Sequence, residues 1–294
     1  MAARRARMLV GFWAVLTFAV AIAPPAAASR AGTVIQVFPG RHALRDALAS
    51  ASAGDTLNLH TGTYRDAVTI GLDGLTLRAA GDGPVTVDGR CRTGAVLTIR
   101  ADGVTIRGLH VVGANEGFTA FPSEVDFTGV NSGGVYHSFL EDTCDAEYGV
   151  NVFSSGTVIV GGNTATGFSD SGIYIGAITS TPLGALIVRH NEVYGSSRGI
   201  IVEDSSGGSI RVVSNNLHDN AGDGVFLHNS DGVALIGNTL TGNAASGIHL
   251  DPGSDSNKVT DNALSSNSPD LWNEGSNNCF RRNVYSTSSG PIAC

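Results

Sequence analysis

The sequence predicts an all-β chain wound as a single-stranded parallel β-helix, and three observations carry this. First, a glycine followed by Val or Ile recurs every 20 to 27 residues, as Gly129-Val130, Gly149-Val150, Gly172-Ile173, Gly199-Ile200, Gly224-Val225 and Gly247-Ile248, with a last echo at Asp270-Leu271. Second, an asparagine phrase precedes these anchors from Gly172 on, as in Val188-Arg189-His190-Asn191-Glu192-Val193. Third, the residues between alternate over short β-branched runs such as Gly199-Ile200-Ile201-Val202-Glu203, with no helical period. Periods of this length belong to solenoids or arrays. A leucine-rich consensus is absent, and propeller blades, at roughly 40 residues, are too long. A coil of about 23 residues built from short strands and tight turns is one rung of a β-helix.

The elements follow in chain order. Arg4, Arg5 and Arg7 precede an apolar run from Leu9 to Ala23, then Pro24, Pro25 and three alanines ending at Ala28. This reads as a secretory signal over residues 1–28. A membrane span needs roughly 20 apolar residues, and this run is shorter and ends at two prolines. Residues 29–294 then form one secreted domain. His42–Ala49 has apolar residues at helical spacing and caps the first rung, at about residues 42–50. Repeats run from about 129 to 285, and residues 279–294 form the C-terminal cap. End caps are required because terminal coils expose strand edges.

Equivalent residues of stacked coils lie about 4.8 Å apart. Asn163, Asn191, Asn215, Asn238, Asn262 and Asn283 are therefore read as a ladder whose amides bond from rung to rung, a structural role. The four cysteines, Cys91, Cys144, Cys279 and Cys294, read in an exported chain as two disulfides. Cys279–Cys294 would pin the C-terminus and Cys91–Cys144 would tie early turns, although spacing alone does not fix the pairing. No cysteine spacing matches a zinc site.

Loss of the signal removes three arginines and takes the formal charge from −8 to −11. That field repels polyanions and argues against nucleic acid as a partner. After cleavage no apolar run is long enough to insert in a membrane, and a monomer is expected. Lys258 is the only lysine.

The stretch from Thr33 to Asp66, with "GDTLNLHTGTYRD" as a first coil, followed by "DGLTLRAAGDGPVTVDG" and "DGVTIRGLHVVG", resembles the opening coils of right-handed parallel β-helix proteins of the pectin-lyase-like superfamily. The later repeats resemble the generic right-handed β-helix region found also in NosD-type periplasmic proteins. The resemblance covers about residues 33–294. It implies a right-handed β-helix and an extracellular protein that handles polysaccharide along a groove on one sheet. The scaffold hosts lyases, hydrolases, epimerases and non-enzymes, so it does not choose among them. Some alginate C5-epimerases of this fold carry Asp-Pro-His-Asp, whereas this chain has Asp251-Pro252-Gly253, without the histidine.

Counted from each anchor, positions +1 and +3 are apolar and face the core, so +2 and +4 face outward. The +2 column reads Asn131, Asn151, Tyr174, Ile201, Phe226, His249, Trp272, and the +4 column reads Gly133, Phe153, Gly176, Glu203, His228, Asp251, Glu274. Glu203, His228 and Asp251 thus lie on successive rungs. An imidazole between carboxylates suits general acid–base catalysis, with His249 beside it. Glu203 and Asp251, about 9 to 10 Å apart over two rungs, sit at the upper edge of the separation used by inverting glycosidases. Tyr174, Phe226 and Trp272 would stack on sugar rings. Aromatics make up only 6% of the chain, so three on one exposed column call for a ligand, a partner or a covering loop. Arg198 would bind substrate. Asp204 and Asp251, with Glu203, could instead hold Ca²⁺.

The same residues have a plainer reading as the solvated face of a solenoid. The functions in play are a glycan-active enzyme of lyase or epimerase type, a non-catalytic glycan-binding or cell-surface solenoid, and a copper-handling accessory protein using His190, His218, His228 and His249.

Overall fold

The computed structural model describes residues 32–179, 184–206 and 209–294; the signal reading, on residues 1–28, lies outside them, as does the middle of the 176–185 insertion. Among the described residues the strands fall into three parallel sheets of eleven, ten and nine strands. Each coil gives one strand to each sheet. Leu186–Arg189 pairs with Ile210–Val213, Glu192–Tyr194 with Asn216–His218, and Arg198–Glu203 with Val225–His228, all parallel. The +1 and +3 residues of the anchors, such as Ile200, Val202, Val225 and Leu227, are fully buried in one continuous core.

The anchor glycines have a steric cause. A Cβ on Gly199 would lie 2.3 Å from the carbonyl oxygen of Gly224, and one on Gly224 2.7 Å from that of Gly247. Real Cβ atoms do not approach that closely, so Gly199 and Gly224 are held to glycine.

One anchor is corrected by the register. Val125 pairs with Val150 and Asp126 with Asn151, so Glu124, not Gly129, stands opposite Gly149. Asp126 and Thr128 therefore replace Asn131 and Gly133 in the outward columns. Asn131 lies instead in an exposed turn, where it donates to Asp102. Glu124 is wholly buried; its Oε1 accepts from the Ala114 backbone N–H at 3.2 Å, while Oε2 has no partner. Burial pushes its pKa up to about 8, against the lowering effect of the Ala114 N–H. The folded state then holds this proton more tightly than the unfolded chain, so stability declines as pH rises from the ordinary carboxyl range toward 8. Glu124→Gln should flatten that decline, measured as urea midpoints at about pH 5 and about pH 9. Parallel declines in both proteins would exclude Glu124 as the titrating group.

Asparagine fills the interior turns. Each amide donates to the next, Asn163 to Asn191, Asn191 to Asn215, Asn215 to Asn238, Asn238 to Asn262 and Asn262 to Asn283, at 2.9–3.0 Å. From Asn191 on, each Oδ1 also accepts the backbone N–H of the asparagine one rung earlier, and Asn163 Oδ1 accepts that of Ser138. A second ladder, not read from the sequence, runs from Asn220 through Asn243 to Asn267. Serines Ser205, Ser230 and Ser254 form a third, accepting backbone N–H groups rung by rung.

Both ends are covered. The helix Ala43–Ser50 buries Leu44 and touches Val34–Val37 and Val68–Ile70, the first strands of two sheets. At the other end Ser288–Ser289 adds a last strand beside Leu271–Asn273. Disulfides join Cys91 to Cys144 and Cys279 to Cys294, so no cysteine is free. No helix among the described residues is long and apolar enough to cross a membrane.

Candidate functional site

The outer face of the ten-stranded sheet carries the candidate residues. Parallel register sets them in line, with Glu203 opposite His228 and Phe226 opposite His249, which in turn stands opposite Trp272. Asp251 follows Leu250, the partner of Leu227, and so lies beside His228.

The contacts form a chain across these rungs. Tyr174 donates its hydroxyl to Glu203 Oε2 at 2.5 Å. Glu203 Oε1 lies 3.8 Å from His228 Nε2, and His228 Nδ1 bonds Asp251 Oδ2 at 2.5 Å. Asp251 is further tied, because its Oδ1 accepts from Asn229 N, Gly253 N and the Ser254 hydroxyl. Burial opposes the charge on Asp251, but the hydrogen bonds from Ser254, Asn229 and His228 outweigh it and hold the pKa below the usual range. An ionised carboxylate only accepts, so His228 Nδ1 carries the hydrogen and Nε2 is left as the basic nitrogen. His228 is about half exposed (46%), so that nitrogen is accessible.

His249 has a different role. It stacks on Trp272 with centroids 4.2 Å apart and planes 4° apart, and only 14% of its side chain is exposed. Nε2 meets Glu274 at 3.1 Å and Nδ1 meets Asp223 at 3.6 Å. Burial lowers its pKa, yet the two carboxylates more than offset this and the net shift is upward. The two carboxylates favour the charged form of His249, which lies stacked on Trp272 within the aromatic strip.

The expectation of three exposed aromatics is corrected for Tyr174, which is 5% exposed. Its ring packs on Tyr148 at 4.7 Å and lies over Gly176, and with Ile201 they form a small apolar cluster outside the main core. Phe226 and Trp272 remain partly exposed. Arg198 stands over the Phe226 ring at 5.3 Å, bonds Asp170 at 3.1 Å and lies 3.9 Å from Asp223. Asp204 is not joined to Asp251; it accepts from the Asn229 amide in the neighbouring turn.

Sequence reading missed several residues of this face. Tyr148 and Asp223 lie one position before an anchor, outside the +1 to +4 columns. Phe118 and Phe121 belong to a loop outside the repeat. They are exposed, Phe121 stacks on Phe153 at 5.9 Å, and with Arg100, Asp126 and Asn151 they line a groove of about 420 Å³. There Arg100 donates to Asp126 at 2.7 Å and the Asn151 amide does so at 3.0 Å. Polar and aromatic groups thus run along the sheet from Arg100 to Trp272.

Of the histidines weighed for copper, His218 lies on the nine-stranded sheet, bonded to Asp219 and 3.4 Å from Glu192, and His190 occupies a turn. Neither joins His228 or His249. No three His, Cys, Asp or Glu side chains among the described residues gather as a metal-ligand group.

Comparison with solved structures gives pectate lyase Pel9A, at 12% identity and a TM-score of 0.58 over 89% of this chain and 79% of that one. The A-module of mannuronan C-5 epimerase AlgE4 of Azotobacter vinelandii aligns at 14% identity and 0.47, over 85% and 91% of the two chains. The periplasmic alginate epimerase AlgG aligns at 14% and 0.49, over 85% and 72%. At these identities the likeness is one of fold. No curated protein sequence matches. A family model described as periplasmic copper-binding protein (NosD) matches residues 83–291. That span takes in most of the coils, both ends of the asparagine ladder and the whole Tyr174-to-Asp251 chain, and the protein belongs to the NosD family.

Proposed function

We propose that this protein acts outside the cytoplasm on polysaccharide laid along the ten-stranded sheet, with His228 as the proton-transfer group in chemistry of lyase or epimerase type. The observation that carries this reading is the His228–Asp251 pair. Asp251 fixes the tautomer, and the accessible Nε2 points toward Glu203, which is itself held by Tyr174. Proton abstraction next to a sugar carboxylate needs such a base, and a proton donor must follow for the departing or re-formed bond. Phe226 and Trp272 on one side and Phe118 and Phe121 on the other supply faces for sugar rings. A pectate lyase of the same fold sets the class of ligand to test first.

A second reading, non-catalytic glycan binding, is favoured by Arg198. The guanidinium that would receive a sugar carboxylate is already bonded to Asp170 and close to Asp223. Copper, in the family's description, finds a poor fit in this chain. Both methionines, Met1 and Met8, precede the β-helix, all four cysteines are in disulfides, and the histidines are scattered over separate elements. Soft thiolate and thioether ligands for Cu(I) are therefore lacking among the described residues. No step is assigned to a metal.

The test is a screen of the chain without residues 1–28 against pectate, alginate, hyaluronan and chondroitin, with and without Ca²⁺, reading unsaturated product by ultraviolet absorbance and epimerisation by proton NMR. Product formed by the wild type and lost in His228→Ala supports the enzyme. No product, with retardation of one glycan that depends on Phe226 and Trp272, supports the binder. Neither product nor retardation rejects both.

A further inference from the structure

A second concave site lies far along the chain from this face, at the N-terminal end of the nine-stranded sheet. A cavity of about 600 Å³ is lined by Pro39, Gly40, Arg41, His42, Thr63, Arg65 and Arg90. Three arginines therefore face one space on a chain whose formal charge is −8. All three are exposed. Among the described residues neither Arg65 nor Arg90 has a side-chain partner, and Arg41 donates only to His42 Nε2, at 3.3 Å. Two carboxylates stand close to these arginines in sequence. Asp66 is buried, accepts from Leu44 N at 3.2 Å and meets His42 Nδ1 at 3.4 Å, while Asp88 accepts from the backbone N–H of Arg90.

The backbone of the walls is built on paired strands, a close turn and a disulfide. Thr63 belongs to the strand Gly62–Tyr64, which pairs with Val85–Asp88. Gly62 has a φ of +137°, and a Cβ there would lie 2.6 Å from Pro39 Cγ, so Pro39 closes down directly onto the backbone. Arg90 follows that second strand in a left-handed turn and is tethered through the neighbouring Cys91 to Cys144. Like charges lining one space repel one another; water and salt screen this at the exposed side chains, and a bound anion would offset it further.

We propose that this pocket binds a phosphate monoester carried on a small organic scaffold, such as a sugar phosphate. Guanidinium forks match phosphate and carboxylate oxygens in pairs. A carboxylate brings one charge and two oxygens, which leaves most of three guanidiniums unanswered. A phosphate monoester brings three terminal oxygens and a charge of about −1.5 to −2 at pH 7. The cavity falls within the roughly 300–1,000 Å³ of small-molecule sites, larger than the phosphate group alone requires, and Pro39 and Thr63 offer an apolar and a hydroxyl contact to the remainder. The site lies on a different sheet from the Glu203–His228–Asp251 line, so the proposal stands apart from the polysaccharide reading.

Isothermal titration at low ionic strength tests it, with glucose 1-phosphate, inorganic phosphate, glucuronate and glucose as probes. Glucose 1-phosphate should bind saturably and glucose should not. Glucuronate and inorganic phosphate should each bind at least about tenfold more weakly. Arg41→Ala and Arg65→Ala should each weaken the ester about tenfold, as loss of a charged hydrogen-bond donor does, with melting temperature unchanged. Lys258→Ala, on another sheet, should bind as the wild type does. Absence of saturable binding by the ester, or equal binding by Arg41→Ala and Arg65→Ala, overturns the site. Equal affinity for glucuronate overturns the phosphate assignment, and equal affinity for inorganic phosphate overturns the scaffold.

Discussion

Asn238→Ala should melt roughly 6–10 °C below the wild type, a loss of about 3–5 kcal/mol for a chain of this size. Asn238 is completely buried and has four partners. It accepts from the backbone N–H and the amide of Asn215, and it donates to Val212 O and to Asn262 Oδ1. Alanine removes the acceptor of both Asn215 donors and the donor to Val212 O in a dry interior, while Asn262 Oδ1 keeps the backbone N–H of residue 238; each stranded group costs about 1–3 kcal/mol before local relaxation. Asn216, in the same repeat but exposed, is the control; Asn216→Ala should stay within about 0.5 kcal/mol. Thermal unfolding followed by circular dichroism measures both. Similar, small shifts in the two variants would mean that the ladder is dispensable.

On the glycan identified by the screen, Asp251→Asn should lower kcat by about 10³–10⁴ with little change in KM. The reason lies in the three donors on Oδ1. Asn229 N, Gly253 N and the Ser254 hydroxyl all require an acceptor, so the asparagine oxygen must take that place and its NH₂ must face His228 Nδ1. The imidazole then accepts at Nδ1 and carries its hydrogen on Nε2, the wrong tautomer for a base. His228→Ala should lose as much. A readout independent of turnover is available, because the depressed pKa of Asp251 contributes stability above its unfolded value that is lost as pH falls through the folded one. Asp251→Asn should flatten that acid limb of the stability curve. Full activity in Asp251→Asn would remove His228 from the chemistry.

The period and the alternation made most of this architecture legible from sequence. The asparagine column, the buried +1 and +3 positions and the alignment of Glu203, His228 and Asp251 all follow from stacking equal coils. The misreading of Gly129 has a local cause. The anchor column carries glutamate at Glu124, so the glycine signal is absent there, and the next glycine-valine pair, Gly129-Val130, begins a turn. Alternation also fails at Tyr174. Its side chain does point outward, but Gly176 leaves room for the ring to lie flat and Tyr148 packs on it from the previous rung, so facing outward is not the same as being wet. Arg198 was assigned to substrate on its charge alone, yet it and Asp223 both stand one position before an anchor on successive rungs, so this ion pair lies in the repeat but outside the +1 to +4 columns. The arginine pocket escaped because Arg41, Arg65 and Arg90 meet only once three non-repeating turns have been placed.

The asparagine ladder has a consequence for how such a molecule can change its length. Every interior asparagine presents acceptors to the coil before it and a donor to the coil after it, so the coil that carries one is self-complementary along the axis. A duplicated coil of about 23 residues inserted between two existing ones would meet the same donors and acceptors on both sides and extend the core without altering it. An insertion of half a coil would shift every later strand to another sheet and strand each ladder at the break. Gene-level growth or shrinkage of this chain is therefore quantised: whole coils are neutral units of inheritance, and partial ones are frameshifts in three dimensions.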